Sequence, residues 1–378
     1  MNSRRTRLRS AIAVILTVLV LVPSAVLFGR VWQENSRQTT QTDLEKKGVE
    51  YIAALTPLVS ALAEAQSSAI QGVAAPPDSL KSAVSKVAAA DAKLGDDLKT
   101  RERWADLSGK IAKLPKASGG SLAVLQAHIE VSDLALALYG AVRRNSQLNR
   151  DPASDMNNLQ QAVAIDMPTT VVLASRMGDF ANILQTATGA NRNLIAIQFG
   201  EEALAVQDSV TALTDDLQAA VDDTTSPTLS GSLVTTLDSF RRGVESMTRG
   251  ANQGGTPNVA TMSTAQTALQ TALSTLAGVT LKEMAKLLDD RSDSLSYRRT
   301  EAVAMGLLAF LLVLAALIWP AMSRRREPQP ADRPIGESTR DIPSAAIPAP
   351  GGYGGQYDVA PAYGDIDPTR RERSGALR

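Results

Sequence analysis

Apolar residues recur at steps of three and four through most of the chain. Ile52, Leu55, Val59 and Leu62 form one such series, Val206, Val210, Leu213 and Leu217 a second, and Leu269, Leu273 and Leu276 a third. These steps lay an apolar seam along one face of a helix and leave acids, amides and lysines to water. Runs of β-branched residues alternating with polar ones, the mark of a half-buried strand, are absent. The predicted fold is all-α. Prolines set the boundaries, because proline suits a helix start and not its interior. Pro76-Pro77, Pro115, Pro152, Pro227 and Pro257 cut the middle of the chain into helical stretches of about 31–74, 78–114, 120–149, 152–224, 228–250 and 257–301. Pro57 lies inside a seam and should kink a continuing helix; Pro168 should kink or briefly break one.

Two runs have no polar face. Residues 10–29 and 302–323 carry no charge over 20 and 22 residues. Each is long enough to cross the hydrocarbon core as a helix. The first has a rival reading as a cleaved signal peptide, but it exceeds the usual apolar length and lacks a good cleavage site. The architecture that follows is two transmembrane helices flanking an antiparallel bundle of about six helices. Its segments are a basic N-terminus (1–9), a first span (10–29), a bundle (30–301), a second span (302–323) and a tail (324–378).

Charge orients these segments. Residues 1–30 hold five arginines and no acid, whereas residues 31–301 hold 25 basic against 31 acidic side chains. Arg324, Arg325 and Arg326 follow the second run. Lys/Arg excess marks the cytoplasmic side, so both termini are expected inside and the bundle outside, in an inner or plasma membrane of a bacterial envelope. Since both spans then meet the bundle at one face, its helices must make an even number of passes. Six satisfies this, and a seventh, made by breaking 152–224 at Gly189, would not. Trp32 and Trp319 fall at the expected interfaces.

Composition narrows function. There is no Cys and one His, His128, among 378 residues. Thiolate and His-cluster metal sites are excluded, and a hydrolytic triad has little to draw on. Aromatic residues are 4% of the chain, too few for stacking platforms, so no nucleic-acid partner is expected. No phosphate-binding glycine loop, nucleophile elbow or metal motif occurs. Asp215-Asp216, Asp222-Asp223 and Asp289-Asp290 lack calcium-loop spacing. The expectation is no enzyme, no cofactor and no metal.

Two strings resemble a known group. Lys47-Gly48-Val49-Glu50-Tyr51-Ile52-Ala53-Ala54-Leu55-Thr56-Pro57-Leu58 is similar to the first outer helix of bacterial chemoreceptor-type ectodomains, and Ser146-Gln147-Leu148-Asn149-Arg150-Asp151-Pro152-Ala153-Ser154-Asp155 looks like a helix junction of the same group. A proline-containing helix then leads to Arg176-Met177-Gly178. With the two-run layout, residues 45–220 resemble helical bimodular sensor domains. Met156 and Asn157 stand where that group has an aromatic, and Glu64-Ala65-Gln66-Ser67-Ser68 is blander than its ligand-side segment. The resemblance implies a sensor-like bundle, without carrying over a ligand chemistry.

From the residues themselves, Asp151 can cap the helix that follows, with Asp155 complementing its dipole. Arg143, Arg144, Arg176 and Arg192 are the candidate ligand-binding side chains, because a guanidinium fork suits carboxylates and other small anions. An anion or amino acid is the ligand class they suggest. His128 reads as a satisfied structural histidine. The tail, rich in Pro and Gly and poor in large aliphatics, is expected to be disordered. Its Thr369, beside Arg370 and Arg371, is a possible phosphosite through which a cytoplasmic protein partner could dock. The partners expected are therefore the lipid bilayer, a small solute and a cytoplasmic protein, with homodimerisation along the first and last helices open. The function expected is a receptor or accessory subunit that signals through a separate partner; the alternative is a scaffold protein of the envelope with no small ligand.

Overall fold

The computed structural model describes residues 2–323 apart from 74, 150, 152–153, 225 and 252–255. Helices carry it: α1 (Asn2–Ile70), α2 (Asp78–Leu94), α3 (Arg101–Ile111), α4 (Ser121–Asn145), α5 (Ser154–Gln161), α6 (Met167–Thr186), α7 (Gly189–Asp223), α8 (Pro227–Ala251) and α9 (Val259–Ser323). No strand occurs among the described residues. The compact unit is Met1–Leu317; of the remainder, only the last turns of α9 are described. The expected tail disorder and Thr369 lie outside the described residues.

The seams read from the sequence are the ones buried. Ile52, Leu55, Val59, Leu62, Leu269, Leu273 and Leu276 are almost fully enclosed, as are Val206, Leu213 and Leu217. Leu80, Ala83, Val87 and Leu94 of α2, and Leu233, Leu237, Phe240 and Met247 of α8, repeat the same spacing. They join one continuous core that takes residues from every helix.

The helix count exceeds six. The stretch 78–114, expected as one helix, turns back after Leu94. Asp91 explains this: its Oδ1 accepts from Thr100 Oγ1 at 2.7 Å and from Tyr51 Oη at 2.9 Å, which folds the chain over the end of α2. The Thr100 amide closes the turn on the Gly95 carbonyl, and Lys99 takes a left-handed φ of 52°. The stretch 152–224 breaks at Ala187–Gly189, where Gly189 has φ 60° and Arg192 Nη1 donates to the Leu184 carbonyl at 2.7 Å. Each break adds one pass. Counting α5 and α6 as one, the described helices then number eight.

That joint has its own cause. Pro168 has no N–H to give the carbonyl four residues back, and its ring crowds that carbonyl. The chain absorbs the misfit with a π turn over Ala162–Asp166, in which the Met167 amide bonds the Ala162 carbonyl. Pro57 breaks nothing: α1 continues through it.

Among the described residues, one helix is long and apolar enough to cross a membrane, α4. Leu125, Val131, Ala135, Leu138 and Val142 on it are buried, which marks a core helix. The apolar run 10–29 is the first part of α1, and 302–323 is the end of α9. Within them Leu19, Val20, Leu27, Leu307, Phe310 and Leu312 are more than half exposed.

The two strings that carry the family resemblance pack on each other. Gly48 of α1 lies so close to the end of α4 that a Cβ there would overlap Ser146 and come within 2.8 Å of Leu148 Cδ1. Ser146 cannot retreat, because its hydroxyl donates to the Val142 carbonyl at 2.7 Å. We therefore expect Gly48→Ala to destabilise the bundle by about 1–3 kcal/mol, the usual cost of overpacking. Thermal melting of the full chain should show a fall of several degrees; an unchanged midpoint would contradict this packing.

Candidate functional site

A buried polar cluster lies where α1, α2, α6 and α9 meet. Here the seam of α1 turns polar: Gln66 is buried and Ser67 half-buried. Gln66 Nε2 donates to Asp179 Oδ2 at 2.8 Å, and Ser67 Oγ donates to Asp179 Oδ1 at 3.0 Å. From α9, Gln266 Nε2 reaches Ser67 Oγ and Ser175 Oγ, each at 3.4 Å. The carboxylate thus ties α6 to α1, and Gln266 joins α9 to the cluster through Ser67 and Ser175. Asp179 is 3% exposed, and burial pushes its carboxyl up from 3.8 to about 6, while donors from Gln66, Ser67 and Ser175 pull the other way.

Asp179 forms the floor of a cleft of about 1040 Å³. Its walls mix hydroxyls and amides with apolar residues such as Pro57, Ala61 and Val259, with Glu64 and Lys86 at exposed positions. Ser79 Oγ donates to Glu64 Oε2 at 2.7 Å. Gln270 lines the cleft as well, and its Nε2 is buried without a protein partner. The site offers both signs of charge and many hydrogen-bonding groups. Among the described residues there is no cluster of His, Asp or Glu that could hold a metal ion.

A second polar centre lies nearer the apolar ends. Arg291 of α9 holds Asp151 with two parallel bonds, 2.7 Å and 2.9 Å, and reaches Glu45 Oε2 of α1 at 3.1 Å. Asp151 sits in the junction read from the sequence as a capped turn, and the structure adds this ion pair to it. Glu45 is fully buried; desolvation and the nearby Asp151 push its carboxyl up to about 7.

The four candidate arginines are not brought together. Arg143 is half-buried, with its Nε unpartnered and with Asp166 and Asp216 acting on it. Arg144 is exposed on the next position. Arg176 pairs with Asp133 and donates to the Ile129 carbonyl at 3.4 Å. Arg192 caps α6 at Leu184. None of the four lines the cleft. Of the residues that do, Glu64, Ser67 and Ser68 fall in the bland segment Glu64–Ser68; the signal there is Gln66, which continues the apolar seam. His128 departs from expectation too: no described residue hydrogen-bonds its ring.

No protein family, curated protein or solved structure matches the chain.

Asp179 gives a pH signature. A raised folded-state value means its contribution to stability is fully present below 3.8 and is lost as pH rises through about 6. Asp179→Asn carries no such term. The melting temperature of the wild type should therefore fall relative to the Asn variant between pH 4 and pH 7. A difference that stays constant across that range would place Asp179 in a solvated setting.

Proposed function

We propose that this chain is a two-span membrane protein whose helical bundle lies outside the membrane and binds a small solute in the Asp179 cleft, its output passing to a cytoplasmic partner. One observation carries the reading. The helices that line the cleft, α1 and α9, run without interruption into the two exposed apolar stretches, so whatever orders the cleft acts directly on the helices that would cross the bilayer. The arginines before the first stretch and after the second favour cytoplasmic termini.

The cleft suits a zwitterion such as an amino acid. Lys86 can meet a carboxylate, Glu64 or Asp179 an ammonium, and the surrounding amides and hydroxyls any polar side chain. This narrows the small-anion or amino-acid expectation to a different set of residues from the arginines that prompted it. The likeness to chemoreceptor-type strings agrees with this reading. The scaffold reading remains the alternative, favoured by the same strings serving helix packing rather than a ligand.

Two measurements test the proposal. Because the chain has no Cys, single cysteines report topology cleanly. In intact cells a membrane-impermeant maleimide should label Ser82→Cys, whereas Ser3→Cys and Ser374→Cys should react only after permeabilisation. Labelling of Ser374→Cys from outside would overturn the topology. For the ligand, a panel of amino acids at millimolar concentration should contain at least one that raises the melting temperature of the full chain, since a ligand bound only to the folded state stabilises it. The rise should shrink in Asp179→Asn. A flat panel would move the protein to the scaffold class.

A further inference from the structure

A second hollow lies at the far end of the bundle from the apolar stretches, where α1, α2, α3 and α4 converge near the 3₁₀ turn Leu114–Lys116. It measures about 380 Å³, and Ala69, Leu80, Val84, Ile111 and Pro115 make it apolar. Small-molecule sites have this size and character, with a few polar groups that fix orientation. Here the enclosed polar group is the ring of His128 on α4. The residue is 4% exposed and lines the hollow, and no described residue hydrogen-bonds it. Buried polar side chains in folded proteins almost always have a partner, so an unpaired imidazole facing an apolar hollow calls for one. The other polar lining groups are engaged or outside. Ser108 Oγ donates to the Ala105 carbonyl at 3.1 Å, and Lys81 pairs with Asp78 at 3.2 Å on an exposed surface.

We propose that this hollow is a binding site for a small, uncharged, largely apolar molecule bearing one hydroxyl or carbonyl, with His128 as its hydrogen-bond partner. The ligand is uncharged because a charge in an apolar wall without a counter-charge is strongly disfavoured. It carries one polar group because the wall offers one partner. Burial holds the ring value down at about 4, so at neutral pH the imidazole is uncharged, with one nitrogen to donate and one to accept. The site is separate from the Asp179 cleft, and its failure would leave the reading of the cleft standing.

His128 is the chain's single histidine, so ring labelling with nitrogen-15 gives one reporter at the site. The full chain, purified without a histidine tag and placed in phosphatidylcholine nanodiscs, would be titrated with 2-naphthol, naphthalene and 2-naphthoate. These share one apolar body and differ in the polar group. We expect 2-naphthol to move the imidazole signal saturably and naphthalene to bind about tenfold more weakly, the worth of one well-made hydrogen bond. The charged 2-naphthoate should leave the signal in place. Val84→Trp, which fills the hollow, should abolish the response. Ala112→Leu at another wall position serves if that variant does not fold. An imidazole signal unmoved by 2-naphthol, a response that survives a folded filling variant, or equal binding of naphthalene would each overturn the proposal.

Discussion

The antiparallel pairing of α1 with α9 is the constraint on which the rest depends. Contacts between the two helices step along both in opposite directions. Gly306 lies against Phe28, with 3.3 Å between the ring and the place of a Cβ. The Arg299 guanidinium sits 5.0 Å above the Trp32 ring, which itself stacks on Phe28. Asn35 Nδ2 donates to the Leu295 carbonyl at 3.4 Å, Arg291 holds Glu45, and Lys46 pairs with Asp289 at 2.8 Å. Gln266 closes the series on Ser67. About forty residues of each helix are thereby matched, roughly 60 Å at 1.5 Å per residue. Everything between them in sequence must leave from the top of α1 and return to the top of α9.

Polar groups sit at intervals along this pair and its neighbours, and each is costly to bury. Burial raises the carboxyls of Glu45, Asp179 and Asp166, with Asp216 beside Asp166 adding to the effect. An apolar replacement would often be at least as stable as a buried charged group. What these groups add is register. An apolar seam of Leu and Ala tolerates sliding, whereas the Arg291 fork on Asp151 and the Gln266 contacts are satisfied at one alignment. The same feature gives a solute in the cleft something to act on, since the Asp179 cluster joins α1, α6 and α9 through hydrogen bonds that a ligand could strengthen or replace.

Much of the helical framework was legible in the chain because its physics is local. The three seams named from their spacing are buried, and Pro115 and Pro227 mark real helix boundaries. The missed turn at Gly95–Thr100 contains no proline; its cause is Asp91, which needs Tyr51 from 40 residues away to form the bond that fixes it. Pro168 was visible, but the π turn that accommodates it is a choice made by the packed helix. The cleft was the least legible element. Gln66, Ser67, Ser175, Asp179 and Gln266 are ordinary residues on three helices, and only tertiary pairing across up to 199 positions makes them a site. The arginines drew attention by their chemistry alone, yet Arg176 and Arg192 hold helices together, paired with Asp133 and the Leu184 carbonyl.

The pairing of α1 with α9 can be measured directly in membranes, because a cysteine-free chain gives a clean background for introduced thiols. Asn35→Cys combined with Leu295→Cys places two thiols at one level of the pair. Asn35→Cys combined with Met305→Cys separates them by about 15 Å along α9. A short bis-maleimide linker should join the first pair within one chain, giving a compact monomer on a denaturing gel, and leave the second pair unlinked. Equal linking of both pairs, or linking of the first only between chains, would contradict the account.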